Sequence, residues 1–244
     1  MERNIKVNGI TLKKIALGES NIGVSLLTEG DEVIFVLAFG AAKSKSKFFS
    51  SVKPFVSSSW DLYFDPVKEY WRAKDATVIT YNDALQEKLE SFYTASLLSE
   101  IILKSQGSEG SYSLFLPALK LLQEPINHRV VLIQFILRLL TTQGLLPSFE
   151  YCPNCEREIE KEPLYYTGLD EFICGKCLRG PKTFELNQGI ITYCIKTPTM
   201  PYNNAVKIGL ERAAEVRLKD LLIELIKKYT EGKLLTLNSA NGLI

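Results

Sequence analysis

Val56-Ser57-Ser58-Ser59-Trp60-Asp61-Leu62-Tyr63-Phe64 is the stretch on which the fold of the first third of the chain turns. Val56, Ser58, Trp60, Leu62 and Phe64 share one face, and Ser57, Ser59, Asp61 and Tyr63 share the other, a period of two with one mostly apolar side. A strand of that kind is a barrel wall with a core behind it. Similar β-prone runs lie on both sides: Leu12 to Leu17, Ile22 to Thr28 and Glu32 to Phe39 before it, and Tyr70 to Thr80 after it, with the fourth run beginning at Phe55. Glu29-Gly30-Asp31 separates the second and third runs, and Gly30 is the residue expected to supply the positive φ of the reversal. Five strands in about 70 residues, with a longer connection between the third and fourth, predict a small OB barrel. An SH3-like barrel has the same strand count and stays open at this point.

Beyond Tyr81 the apolar period lengthens. Leu85, Leu89, Phe92, Ala95, Leu98 and Ile102 recur at three- and four-residue steps, which predicts an amphipathic helix capped by Asn82 or Asp83. A Gly- and Ser-rich loop, Ser105 to Ser111, leads to a shorter helix over Tyr112 to Gln123. Pro125 then precedes a helix over Val130 to Thr142, apolar all round and closed by Gly144. Further on, Glu185 to Ile195 reads as a helix stopped by Pro198. A last long helix shows Leu218, Leu222, Leu225 and Tyr229 on one face and ends near Gly232.

The chain has 244 residues, 46% hydrophobic and 23% charged, and a formal net charge of +1. That is ordinary globular usage, so disorder and fibrous classes are excluded. The most apolar run, Val130 to Leu140, is interrupted by Gln134 and Arg138 and falls far short of the roughly 20 residues a bilayer demands. Met1 to Lys14 carries no apolar signal core, so a cytoplasmic protein is expected.

Five cysteines without an export signal read as reduced thiols or metal ligands. Cys152-Pro153-Asn154-Cys155 and Cys174-Gly175-Lys176-Cys177 form two C-x2-C pairs separated by eighteen residues. Two residues between thiolates make a knuckle whose sulfurs converge on one ion, and a hairpin through Tyr165-Tyr166 and Phe172-Ile173 brings the knuckles together. Four thiolates complete one structural Zn2+ shell, with no open position for a metal-activated water. The same ligands would also hold iron in an electron-transfer site. Cys194 reads as a small core hydrophobe.

Lys43, Lys45, Lys47 and Lys53 lie between strands three and four with no acid among residues 41 to 53. The loop is read either as a solvated lysine run or as a phosphate-contacting loop. Phe48, Phe49, Trp60, Tyr63, Tyr70 and Trp71 are the aromatics near it, and Tyr63 is the better stacking candidate because it alternates away from the apolar face. The lone histidine, His128, stands at a helix start, where a capping or surface role is the default. No nucleophile elbow, Walker loop, G-x-G-x-x-G or H-E-x-x-H is present, so catalysis is not expected.

Several local patterns, in order, resemble the RecO family of DNA repair proteins. They are Gly18-Glu19-Ser20, then Gly40-Ala41-Ala42-Lys43-Ser44-Lys45-Ser46-Lys47 followed by Val52-Lys53-Pro54-Phe55, then Gly144-Leu145-Leu146-Pro147 ahead of Cys152, and finally Glu231-Gly232-Lys233-Leu234. The sequence departs from that pattern at Ala42, where a second basic residue is frequent, and at Glu156, where glycine is common. The resemblance implies an α+β chain: an OB-fold barrel over 1–81, an α-helical domain over 82–149 and 183–244, and an inserted four-cysteine zinc module over 150–182. It implies binding of single-stranded and double-stranded DNA and annealing of complementary strands. Cooperation with RecR to load RecA onto DNA coated by single-strand-binding protein (SSB) is implied too, with the SSB C-terminal tail docking on the helical domain, all in the cytoplasm at the nucleoid. Two other classes keep the same residues: a zinc-ribbon and barrel adaptor that binds protein without DNA, and an iron or thiol redox protein.

Overall fold

A computed structural model of the protein describes residues 3–159, 162–167, 171–180 and 184–244. The expected boundary between the cysteine module and the second helical segment, 182/183, lies outside the described residues. Compactness divides the chain into two units that cut across the expected segments: Met1–Glu124 with Leu234–Ile244, and Pro125–Lys233.

In the first unit five strands, β1 (Asn4–Leu17), β2 (Asn21–Thr28), β3 (Val33–Ala38), β4 (Ser57–Asp65) and β5 (Tyr70–Thr80), close a barrel in the order β1-β2-β3-β5-β4. β1–β2, β2–β3 and β4–β5 are antiparallel pairs of neighbours in sequence, β1 also pairs antiparallel with β4, and β3 meets β5 in parallel through Val36↔Trp71 and Leu37↔Arg72. That pairing closes an OB-like barrel and answers the SH3-like alternative, which no count of strands did. β1 starts eight residues before the expected Leu12, because one long strand serves two neighbours: Asn4–Ile10 pair with β4 and Gly9–Leu17 with β2. The interior holds Val24, Leu26 and Val36 of β2 and β3 together with Trp60 and Leu62, two of the residues that the alternation of β4 turns inward.

β4 begins at Ser57, later than expected, because Phe55 takes a left-handed φ of 69°. Its ring stands edge-on to Phe92 and Phe115, with centroids 5.9 and 6.5 Å away. The helix expected from Leu85 starts as a 3-10 turn (Asp83–Glu87) and becomes α1 (Leu89–Lys104) only after it. Asn82 does not cap it; its side-chain amide donates to the Phe55 carbonyl at 2.7 Å and its oxygen accepts from Gln123. Leu89, expected on the apolar stripe, is 61% exposed, whereas Ala95, Leu98 and Ile102 are buried. Ser99 of α1 donates to the Leu12 carbonyl of β1 at 3.0 Å.

The turn after β2 also differs from the sequence expectation, since Asp31 and not Gly30 carries the positive φ, at 65°. A second role holds it there. The Asp31 carboxylate accepts the N–H groups of Gly110 and Tyr112 at 2.8 and 2.7 Å, at the start of α2 (Ser111–Leu121), whose own N-cap Gly110 has no side chain to offer. Glu100 acts likewise on α7 (Leu235–Ala240), accepting from Leu235 and Thr236 at 2.7 and 2.8 Å. Asp31→Ala is therefore expected to destabilise the first unit by about 1–2 kcal/mol, the loss of a helix cap, as read from its chemical denaturation. An unchanged midpoint would refute the borrowed cap.

The second unit is built on α3 (His128–Thr142), buried from Val130 to Leu137 and at Leu139 and Leu140, as its sequence predicts. Its cap is Asn127, whose oxygen accepts from Arg129 N–H at 3.0 Å; His128 is merely the first helical residue. The amide of Asn127 donates to both oxygens of the buried Glu215 on α6 (Arg212–Tyr229) at 3.1 and 3.0 Å. Gly144 follows the helix with φ 66°, the expected C-terminal stop, while at the end of α6 the left-handed residue is Glu231 (φ 49°). The helix expected over Glu185 to Ile195 begins later: Phe184–Leu186 forms strand β8, and α4 (Gln188–Lys196) follows behind the Asn187 cap. β8 flanks β6 (Leu164–Tyr166), which also pairs with β7 (Phe172–Cys174). A short α5 (Tyr202–Ala205) lies between α4 and α6. Among the described residues, no helix is long and apolar enough to cross a membrane.

Candidate functional site

The connection between β3 and β4 is anchored, not free. Ala41, Phe48 and Val52 enter the barrel core, and this leaves Lys43, Lys45 and Lys47 exposed on the segment they pin down. Lys47 pairs with Asp75 of β5 at 3.3 Å and donates to the Lys74 carbonyl, so it is the most encumbered of the loop lysines. The hydrogen bond that Lys47 donates to the Asp75 carboxylate holds that carboxyl below the usual carboxylate range. Lys53, half-buried, stands 5.5 Å from the Phe49 ring centroid.

The aromatics near the loop divide into two groups. Phe48 and Trp60 belong to the core, and Trp71 packs against it and Phe64, with ring centroids 5.1 Å apart. Tyr63 is half-buried on the outward side of β4, in register with Arg72 of β5. Arg72 in turn lies over the Phe39 ring at 4.8 Å. Phe35 and Phe39 are 42% and 43% exposed on the outer side of the barrel. A Cβ on Gly23 would come within 2.5 Å of the Phe35 ring, so only glycine lets that ring lie across β2. Sequence reasoning missed Phe35, Phe39 and Arg72. Val33 to Phe39 is apolar on both faces and reads as a doubly buried strand, so no alternation marks the exposed rings.

In the second unit the two knuckles meet as their spacing requires. The Sγ atoms of Cys152, Cys155, Cys174 and Cys177 all lie within 4.8 Å of one another, and Cys155 Sγ is 3.8 Å from Cys174 Sγ. A tetrahedron of sulfurs around an ion at about 2.3 Å has edges of about 3.8 Å, so the set fits one tetrahedral ion. The hairpin β6–β7 sets Leu164 opposite Cys174, and Cys174 N–H points to Cys152 Sγ at 3.4 Å. Cys152 and Cys174 are buried, and the module is seated by Phe149 stacked on Phe172 at 4.8 Å and by Tyr166 against Phe172 and Phe184. The Arg157 backbone N–H, then its guanidinium, hold Cys155 down at about 6. Cys177 is pushed up to about 12, first by its hydrogen bond with Cys155 and then by burial. Cys194 is 2% exposed, and burial pushes its thiol up, as expected of a core residue. Glu156, directly after Cys155, has φ 56°, a conformation that glycine adopts freely and that costs other residues about 1–2 kcal/mol.

The family described as "Recombination protein O N terminal" matches residues 1–81, and the one described as "Recombination protein O C terminal" matches residues 86–237. The chain belongs to the RecO family. Among its relatives, "DNA repair protein RecO" of Thermoanaerobacter sp. (strain X514) is 22% identical over 99% of this chain and 98% of its own length. The protein of the same description from Thermodesulfovibrio yellowstonii is 24% identical over 95% of this chain and 92% of its own. A third, from Shouchella clausii, is 26% identical over 71% and 68%. The border between the two RecO matches falls where β5 ends and α1 has yet to begin.

Proposed function

We propose that this RecO-family chain is a non-enzymatic DNA repair and recombination mediator of the cytoplasm and nucleoid. It binds single- and double-stranded DNA, anneals complementary strands and, with RecR, helps RecA load onto SSB-coated DNA, the SSB tail docking on the helical segment. The observation that carries the DNA reading is the outward row Tyr63, Arg72, Phe39 and Phe35 beside a pinned lysine segment. Exposed rings and a guanidinium plane accept unpaired bases by stacking, while Lys43, Lys45, Lys47 and Lys53 supply the charge that meets phosphates. Annealing then requires no chemical step, since neutralised strands pair by themselves. For the metal site we propose one structural Zn2+ on Cys152, Cys155, Cys174 and Cys177, because four thiolates leave no position for a reacting ligand. Metal analysis distinguishes this from an iron redox centre.

The two parts of the DNA interface are separable by salt. Lys43, Lys45 and Lys47 changed to Ala are expected to flatten the slope of log affinity against log salt by one to two units, at about 0.7 per phosphate released. Phe35→Ala with Phe39→Ala is expected to weaken single-stranded DNA by about 1–3 kcal/mol per stacked base, leaving the slope unchanged. Oligonucleotide anisotropy across a salt series measures both. If neither set moves affinity, DNA runs elsewhere, and the positive segment with Arg212, Arg217 and Lys219 becomes the next surface to change.

A further inference from the structure

Lys47 of the β3–β4 connection reaches a receptor on the barrel wall. The next residue, Phe48, is buried in the barrel core, so the chain is anchored one residue away from it. The receptor lies where the β4–β5 register slips: Asp61 faces Asp75, the following pair is Leu62 with Ala73, and Lys74 is the extra residue between them. A bulge of this kind re-aims side chains and interrupts the ladder. Here the Lys74 carbonyl accepts from Lys47 Nζ, and the Asp75 carboxylate pairs with the same ammonium at 3.3 Å. The Lys74 side chain goes elsewhere, its Nζ 3.8 Å from Asp61 and 3.4 Å from the side-chain oxygen of Asn4. Two carboxylates set directly opposite across a strand pair repel each other, and each is met by a different lysine. One of those lysines comes from the segment that the DNA reading assigns to phosphates.

We propose that Asp75 is a phosphate surrogate that latches Lys47 and thereby lowers the DNA affinity of the free barrel. The proposal rests on the DNA reading above and adds the regulation of that site: of Lys43, Lys45, Lys47 and Lys53, Lys47 is the one held in reserve. A carboxylate and a phosphate offer the ammonium the same kind of charge-assisted hydrogen bond, so the two compete for it. The side chains of Lys47 and Asp75 are 58% and 62% exposed, which opens the pair to an incoming strand and keeps it weak enough to exchange.

A double-mutant cycle on the full chain tests the latch, read by anisotropy of a fluorescein-labelled oligothymidylate across a salt series. Asp75→Ala is expected to tighten binding about two- to five-fold at low salt, the range that an exposed ion pair supplies, and to steepen the slope of log affinity against log salt by about 0.7, one further phosphate. Lys47→Ala alone should change affinity by less than about two-fold, because the parent chain withholds that charge. In the Lys47→Ala background, Asp75→Ala should bring no gain. Asp75→Asn, which keeps the side chain's shape, should show the same dependence on Lys47, and the thermal midpoints of all these chains should coincide because both residues are exposed. A negative charge acting only at a distance would give the same gain in both backgrounds; that result, or no gain from Asp75→Ala, would overturn the latch while leaving the DNA reading intact. A parent chain that fails to bind the oligonucleotide at any salt would remove the DNA reading and the latch with it.

Discussion

If the four cysteines hold the proposed zinc, Cys174→Ser is expected to strip it from the chain and unfold the cysteine module while the barrel survives. Cys174 is fully buried at the end of β7, its N–H points to one ligand sulfur and its own sulfur lies 3.8 Å from another. A hydroxyl in its place is a poor ligand and leaves three thiolates crowded without a fourth. Structural zinc in small modules contributes roughly 10 kcal/mol or more of folding free energy, so little of the module should outlast its ion. The loss spreads to what the module supports. Tyr166 and Phe172 are packed on it, and the Tyr166 hydroxyl accepts from Lys228 of α6 at 2.8 Å. Elemental analysis should fall from about one metal ion per chain to near zero. Calorimetry should show the transition of the second unit lost or markedly lowered and that of the first unit retained. A chelator-treated native chain that is metal-free and keeps both transitions would sink the prediction.

Arg138→Met is expected to cost the second unit about 3 kcal/mol or more. Arg138 interrupts the apolar run of α3, yet its guanidinium makes four hydrogen bonds: it donates to the carbonyls of Pro198 at 3.1 Å, Thr197 at 2.8 Å and Met200 at 2.7 Å, and to Gln134 at 3.2 Å. Its plane lies over the Tyr202 ring at 5.0 Å. Gln134 then reaches Thr197 at 2.8 Å, which donates to the Tyr193 carbonyl at 2.8 Å. One cation therefore gathers the turn that joins α4 to α5 onto α3. Hydrogen bonds from a charged donor contribute about 1.5–3 kcal/mol each, and partial exposure of Arg138 lets some of the freed carbonyls recover water, which is why the total is set near the low end. Methionine keeps much of the stem's packing, so the change isolates the lost donors. Urea denaturation should shift by more than about 1 M for a slope near 2 kcal/mol/M. Arg138→Lys, with one compact donor group, should recover only part of it. A methionine variant within about 0.5 kcal/mol of the parent would show that the carbonyls are equally well served by water.

Glu156 and the row of Phe35, Phe39 and Arg72 show where reading the chain by itself stops. The cysteine spacing carried its geometry in the sequence, because two-residue knuckles converge sulfurs whatever surrounds them. The carboxylate at φ 56° did not announce itself, since backbone dihedrals are set by the closed knuckle. Asp31 and Glu100 look like surface acids until the helices they cap arrive from 79 and 135 residues away.

The sequence alone determined what depends on local period and spacing: the inward set of β4, the all-round burial of α3, the stop at Gly144 and the four-cysteine cluster. These follow from rules of 2, 3.6 and C-x2-C that hold before any long-range contact forms. Only the tertiary structure decided the parallel β3–β5 closure, the exposure of an all-apolar strand, the pairing of Lys47 with Asp75 and the grouping of α7 with the barrel. Each joins residues distant in sequence, and which partners meet is chosen by the burial of the whole unit, not by any pattern within one segment.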